Sequence, residues 1–320
     1  VEIDERGRVF SGHNGGNTRG FHYVQGGYYR KGFEKHGALS NPYAFGFFEN
    51  MTHHNVPRFT HTFVIYEDVA AGPNAATLPE KFLGNLFGVE PLQSDIVRSE
   101  VAPDRSSLKT KDLDRPITTK DTWFRPVDIQ VGPDGGIYVC DLYEQRIDHA
   151  SHYQGRIDRE RGRVWKLKRK GGVPLRPFDL TRASTSELIA QLRSPSRWFR
   201  QTALLVLSWK KPAEAVPELL KQLETARDDS AVTLLWALYQ IGGLEEDVAL
   251  KLLGHANPYV RLWTVRVLCD EKSVSSAVAA KLTEMGAKEE NVEVRSQLAC
   301  SARRLPASEG LPIVRAMLPQ

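Results

Sequence analysis

The chain has 320 residues, 41% hydrophobic and 26% charged, with 43 Lys and Arg against 39 Asp and Glu, a makeup that excludes global disorder and a length that suits two domains. Its longest apolar runs, residues 202–209 and 232–235, fall far short of the ~18–20 residues of a membrane-spanning helix. Cys140, Cys269 and Cys300 show no CxxC or CxxCH spacing, which excludes a disulfide framework, a zinc ribbon and covalent haem attachment within this sequence.

Composition changes sharply along the chain. Residues 1–172 hold 20 of the 25 Gly, 21 of the 29 aromatics and eight of the nine His. The change falls at Gly171-Gly172-Val173-Pro174, a breaker cluster suited to a linker. Two domains follow: 1–172, expected to be strand and loop, and 173–320, expected to be helical, with the switch between Lys168 and Thr181.

In the first half, long Gly-, Asn- and aromatic-rich loops such as residues 11–48 separate short strands. Gly15 and Gly16, with His13, Asn14, Thr18 and Arg19 around them, allow backbone N–H groups to converge on an anion or a sugar hydroxyl. His53, His54 and His61 form a second cluster, but Pro57 and the strand-like stretch 59–66 argue for packing or surface histidines there. Residues 127–141 read as two alternating strands around Pro133-Asp134-Gly135-Gly136, a hairpin signal. Directly after it, Asp141, Glu144, Arg146, Asp148, His149 and His152 fall within twelve residues. The two His lie three apart, so one tight turn can aim both at a single point beside carboxylates. Alternatively, Asp141 and Arg146 pair to close the sheet while both imidazoles satisfy loop carbonyls. Residues 156–170 carry eight basic side chains against Asp158 and Glu160. Trp165 and Leu167 alternate there with Lys166 and Lys168, as a half-buried outer strand requires. The spacing favours a solvated face over a nucleic-acid groove.

The second half repeats. Arg200, Arg261 and Arg295 occupy the same place in related apolar runs, and Thr233 stands in a fourth, weaker copy, giving steps of 33, 28 and 34 residues. These steps approach those of two-helix repeats, in which one hairpin cannot bury its own apolar face and neighbours must stack. Asn257-Pro258-Tyr259-Val260-Arg261 resembles the opening of the second helix in HEAT repeats, where Pro presets φ and the Arg bonds to a neighbouring layer. Such arrays imply a protein partner along the repeats.

The stretches Arg125-Pro126-Val127-Asp128-Ile129, Gly132-Pro133-Asp134-Gly135 and residues 137–147 resemble the inner hairpin of NHL propellers and of soluble quinone-dependent sugar dehydrogenases. With residues 11–20, 26–29, 35–43 and 148–153, the first half is similar to planctomycete- and verrucomicrobia-type proteins named as membrane-bound dehydrogenases, which join such a propeller to HEAT-like repeats and often to a haem domain. The resemblance implies a partial β-propeller, its C-terminal blades, followed by an α-α solenoid. It also implies an oxidoreductase acting on sugars or other polyols with a quinone-type (PQQ-like) cofactor in an extracytoplasmic setting, haem entering only through a segment outside this sequence. On that reading His149 and His152 are catalytic, Arg125, Asp141 and Arg146 bind the cofactor, and His13, Asn14 and Arg19 bind substrate. Blades of ~40–50 residues leave room for about three, so the chain is expected to be the C-terminal part of a longer protein. The rival expectation is a non-catalytic propeller that binds a carbohydrate or protein on a HEAT scaffold.

Overall fold

The computed structural model describes residues 1–13, 18–30, 38–53, 62–69, 77–145, 154, 158 and 160–318. Among these, strands fill the first half apart from a 3-10 turn at Glu80–Phe82, and helices fill the second, the last strand ending at Leu167 and the first helical turn after it opening at Leu180.

The β half is a stack of sheets. Strands β1 (Glu2–Ile3), β2 (Val9–Gly12) and β3 (Gly20–Tyr23) form one antiparallel sheet. Strands β4 (Gly27–Tyr29) and β5 (Gly46–Phe48) pair in parallel beside it. Strands β6 (Phe63–Ile65), β7 (Leu86–Glu90), β8 (Asp95–Asp104) and β9 (Ser107–Thr118) form a four-stranded antiparallel meander. Strands β10 (Pro126–Val131), β11 (Ile137–Asp141) and β12 (Arg163–Leu167) form a third antiparallel sheet.

Alternation along β6 and β7 sets the layering. Phe63, Ile65 and Leu86 face Phe10, Met51 and Leu108 on one side. On the other side Val64, Tyr66, Phe87 and Val89 face Phe124, Ile129, Ile137 and Val139. The four-stranded sheet is therefore the middle layer, its strands β6 and β7 buried on both faces, and each large side chain so buried contributes about 1.5–3 kcal/mol. The β10–β11 turn fits its sequence: Gly135 takes φ +73°, the left-handed region, while Gly132 N donates to Gly136 O at 2.8 Å.

The helical half comprises α1 (Thr185–Gln191), α2 (Arg197–Lys210), α3 (Val216–Thr225), α4 (Ser230–Gln240), α5 (Glu246–Leu252), α6 (Pro258–Leu268), α7 (Ser276–Lys288), α8 (Val292–Ala302) and α9 (Ala307–Met317). Caps define the starts. Ser184 and Glu187 form a reciprocal capping box on α1, and the side chains of Asn257 and Asn291 accept backbone N–H bonds at the starts of α6 and α8. Helices α2, α4, α6 and α8 pack successively on one another.

The recurring arginines share one geometry. Arg200, Arg261 and Arg295 are each the fourth residue of their helix, as is Thr233 of α4. Each guanidinium donates to the carbonyl six residues earlier: Arg200 to Ser194 at 2.8 Å, Arg261 to His255 at 2.8 Å and Arg295 to Glu289 at 3.1 Å. At Thr233, which has no such reach, the Asn257 amide of the next hairpin donates instead to the carbonyls of Arg227 and Asp228. Arg261 also grips Glu289 with two hydrogen bonds, 2.8 and 2.7 Å.

The two halves are joined by charge. Arg197, at the start of α2, bonds to the Glu2 carboxylate at 2.6 Å and to the carbonyls of Ile3 and Ile65, and lies 3.2 Å from Glu67. Its backbone N–H donates to Asp68 at 2.7 Å. Arg200 reaches Glu5 at 3.2 Å, and Arg6 bonds to Asp229 at 3.0 Å while stacking over Tyr259. Burial, outweighing Arg197, holds the Glu67 carboxyl well above its ordinary range and also raises Glu2. Residues 2–8 thus lie along the helix row α2, α4, α6 and α8.

Candidate functional site

The polar centre of the β half is assembled by three segments lying side by side. Thr18 Oγ1 donates to Met51 O at 2.6 Å, and Met51 N donates to Gly20 O at 3.2 Å. On the other side Thr52 forms a parallel bridge with Lys109, and Thr110 N donates to Thr52 O at 2.9 Å. This seam brings together Arg19, His53, Thr110 and Asp112, which are widely separated in sequence.

Arg19 has no solvent exposure. Its Nε donates to Asp112 Oδ1 at 3.1 Å, one terminal nitrogen bonds to Asp112 Oδ2, and the other bonds to Glu90. Ser99 Oγ donates to Asp112 Oδ1 at 2.7 Å. Arg115 lies against Asp95, Asp112 and Glu90 at 3.2, 3.4 and 3.5 Å. Burial favours protonation of Asp112, but hydrogen bonds from Arg19 and Ser99 hold it below its usual range. Glu90 is pushed the other way, because burial and the neighbouring Asp95 carboxyl outweigh Arg19. Glu90 and Asp95 face each other across β7 and β8.

His53 completes the group. Its Nδ1 lies 2.7 Å from Thr110 Oγ1, and its Nε2 lies 3.7 Å from Asp112. An open cleft of about 700 Å³ runs beside it, lined by Thr52, His53, Glu100, Lys109, Thr110, Lys111 and Asp112 among others. Its walls offer hydroxyls, carboxylates and ammonium groups together, a donor and acceptor set suited to a ligand rich in hydroxyls. Among the described residues, no group of three or more His, Cys, Asp and Glu is placed to hold a metal ion.

The residues anticipated from sequence fall into three groups. Arg19, expected to bind substrate, is fully buried with its guanidinium held by Asp112 and Glu90, so it orders Asp112 and does not face the cleft. His13 is buried beside Phe21, their rings 4.9 Å apart and nearly perpendicular. Arg125 and Asp141 are committed to the fold. The guanidinium of Arg125 donates to Glu144 O at 2.8 Å, Gln145 O at 2.6 Å, Thr122 O at 3.3 Å, Ser94 Oγ at 3.1 Å and Pro91 O. Those five acceptors use its five N–H groups, leaving none for a quinone oxygen. Asp141 accepts from Arg125 N at 2.8 Å, Tyr143 N at 3.0 Å and Trp165 Nε1 at 3.0 Å, so its partners in closing the sheet are these groups. Neither residue fits a cofactor ligand in this arrangement. Asn14, Arg146, His149 and His152 lie outside the described residues. His53, Thr110 and Asp112 were not among the anticipated site residues, since only long-range pairing unites them.

Residues 1–171 match the family described as Domain of unknown function (DUF7133). The chain belongs to this family. The DUF7133 region coincides with the sheet stack, and both the buried network and its cleft lie inside it. No curated protein and no solved structure matches the chain. Among the described residues, no helix is long and apolar enough to cross a membrane.

Proposed function

We propose that the DUF7133 region is a run of β-propeller blades of the sugar-dehydrogenase type, and that it binds a polyhydroxylated ligand in the cleft beside His53 and Asp112. Residues 173–320 are read as a HEAT-like solenoid braced against it. The blade reading is supported by the four-stranded meander of β6–β9 packed between two further antiparallel sheets. The observation that carries the binding reading is the cleft itself: polar side chains of Thr52, Thr110, Lys109, Lys111, Glu100 and Asp112 line an open space of about 700 Å³ together with apolar surface that includes Ala102. Behind it Arg19, Ser99 and Arg115 fix Asp112, so a ligand meets a carboxylate already ordered. Titration calorimetry against a panel of sugars and polyols tests this. Binding that the double variant Lys109→Ala, Lys111→Ala weakens at least tenfold supports the reading, and no heat with any member of the panel rejects it.

A redox reading has its own supporting observation. Arg125 pins the carbonyls of Glu144 and Gln145, the last residues before the segment that carries Arg146, His149 and His152. In an oxidoreductase of that type a His of that segment would serve as the base for the polyol hydroxyl proton, and a quinone-type cofactor, held by residues other than Arg125 and Asp141, would supply the electron acceptor. Polyol-dependent dye reduction by the quinone-reconstituted protein, lost in His149→Ala or His152→Ala, tests it. On either reading a protein partner of the repeats meets helix surface that residues 2–8 leave uncovered.

A further inference from the structure

The two sheets that share the main apolar interface differ by one strand. The middle sheet continues from β8 to β9, whereas the flanking sheet stops at β12. Among the described residues, β12 therefore has a strand on one side only. Val164 and Trp165 of β12 are 67% and 43% exposed, although the register places Trp165 opposite buried Val139. Alongside β12 runs a cleft of about 520 Å³ lined by Ile117 of β9, Phe124, Arg163, Trp165 and Leu167 among others. Its apolar floor lies where alternate side chains of an added strand would enter, because Leu167 already packs into the same interface. Past the end of β12, Lys168, Arg169 and Lys170 are exposed.

We propose that β12 is a strand-addition site for an extended acidic segment of a second protein, which pairs with the open edge, inserts an apolar side chain into the cleft, and sets its acidic residues against Lys168 and Lys170. Main-chain pairing supplies affinity and the cleft selects side chains, the usual division in strand addition. Charge decides the occupant. A second copy of this chain would bring two basic edges together and be repelled, the reason edge strands often carry lysine. An acidic strand is attracted by the same charges. The site is separate from the cleft at His53 and does not depend on it.

The test uses a fluorescein-labelled, end-blocked seven-residue peptide of alternating Glu and Val, with anisotropy as readout on the full chain. Binding is expected, falling at least tenfold when alternate peptide nitrogens are methylated. It is expected to fall as far in the folded double variant Lys168→Glu, Lys170→Glu, while β12 amides exchange more slowly with solvent in the wild-type complex. Equal binding of the methylated peptide, equal binding of a Lys and Val peptide, or tighter binding of single-stranded DNA than of the acidic peptide would overturn the proposal. So would a dimer, seen in sedimentation, that the Lys168→Glu, Lys170→Glu variant dissolves.

Discussion

The indole Nε1 of Trp263, in α6, donates a 2.9 Å hydrogen bond to the backbone carbonyl of Arg6, three residues before the second strand of the β half. Trp263 stands edge-to-face with Trp236 of α4, their centroids 5.1 Å apart, and Gly7 closes over both. The helix row and the sheet stack are joined through this point as well as through the ion pairs of Arg197 and Arg200.

Gly7 is the most constrained residue of the joint. Its φ is +78°, and a Cβ there would collide with both indoles. Gly171 has a similar φ of +82° with nothing near it. Gly7→Ala is expected to cost about 1–3 kcal/mol more than Gly171→Ala, because overpacking adds to a shared backbone strain. Denaturant unfolding of both variants measures the difference, and equal losses would mean that the indoles yield without cost.

The Arg261–Glu289 pair bridges successive hairpins, with Glu289 only 6% exposed in its side chain. Arg261→Ala removes both guanidinium bonds from that carboxylate, which keeps the Asn291 N–H at 2.9 Å, and removes the donor to the His255 carbonyl, so a loss of about 1–3 kcal/mol is expected. Arg261→Lys should recover little, since an ammonium cannot reproduce the two-pronged grip. Chemical denaturation of the three proteins checks both statements.

His22 gives the joint a pH dependence of known sign. The imidazole is 5% exposed and stacked 5.2 Å from Phe10, and burial together with nearby Arg8 lowers it from 6.5 to about 4, against a smaller opposing pull from Asp4. A depressed value means that the folded state holds the neutral ring, so its contribution is complete above pH 6.5 and is lost as pH falls from 6.5 towards 4. The loss at the acid end is on the order of 3 kcal/mol. Comparing wild type with His22→Phe at pH 7 and pH 4.5 isolates it. The variant should narrow its deficit, or overtake wild type, on acidification.

Arg19 faces the fully buried Glu90 carboxyl and the partly buried Asp112 carboxylate. Arg19→Met should cost about 3–5 kcal/mol, because Glu90 and Asp112 lose their shared counter-charge. Adding Glu90→Gln should restore part of that loss. A double-mutant cycle by thermal and chemical unfolding measures the coupling, and strictly additive losses would argue against a shared network.

What the sequence disclosed follows from how local each signal is. The β10–β11 hairpin was legible because Gly132, Pro133, Asp134 and Gly135 specify its turn, and the second helices because Asn257, Pro258 and Arg261 act within one helical turn. The long β8–β9 hairpin was not read, since Arg98, Glu100, Lys109, Lys111, Asp112 and Asp114 interrupt its apolar pattern, and only pairing explains those charges. The joint was equally silent: residues 2–8 carry no motif, and their partners lie in helices far along the chain. For the site, the Gly-rich loop singles out Arg19 but suggests a ligand contact, whereas its role as the buried counter-ion of Asp112 depends on a partner 93 residues away. His53 reads in sequence as a packing or surface histidine beside His54 and His61, because nothing nearby foretells Asp112 or Thr110.

The most direct test of the ligand-binding account is backbone chemical-shift mapping of the full chain with the tightest-binding sugar or polyol from the calorimetric panel. The account predicts saturable shifts at Thr52, His53, Thr110, Lys111 and Asp112, with β12 unmoved, and their loss in Lys109→Ala, Lys111→Ala. Saturable shifts confined to another surface, or shifts that persist unchanged in that variant, would contradict it.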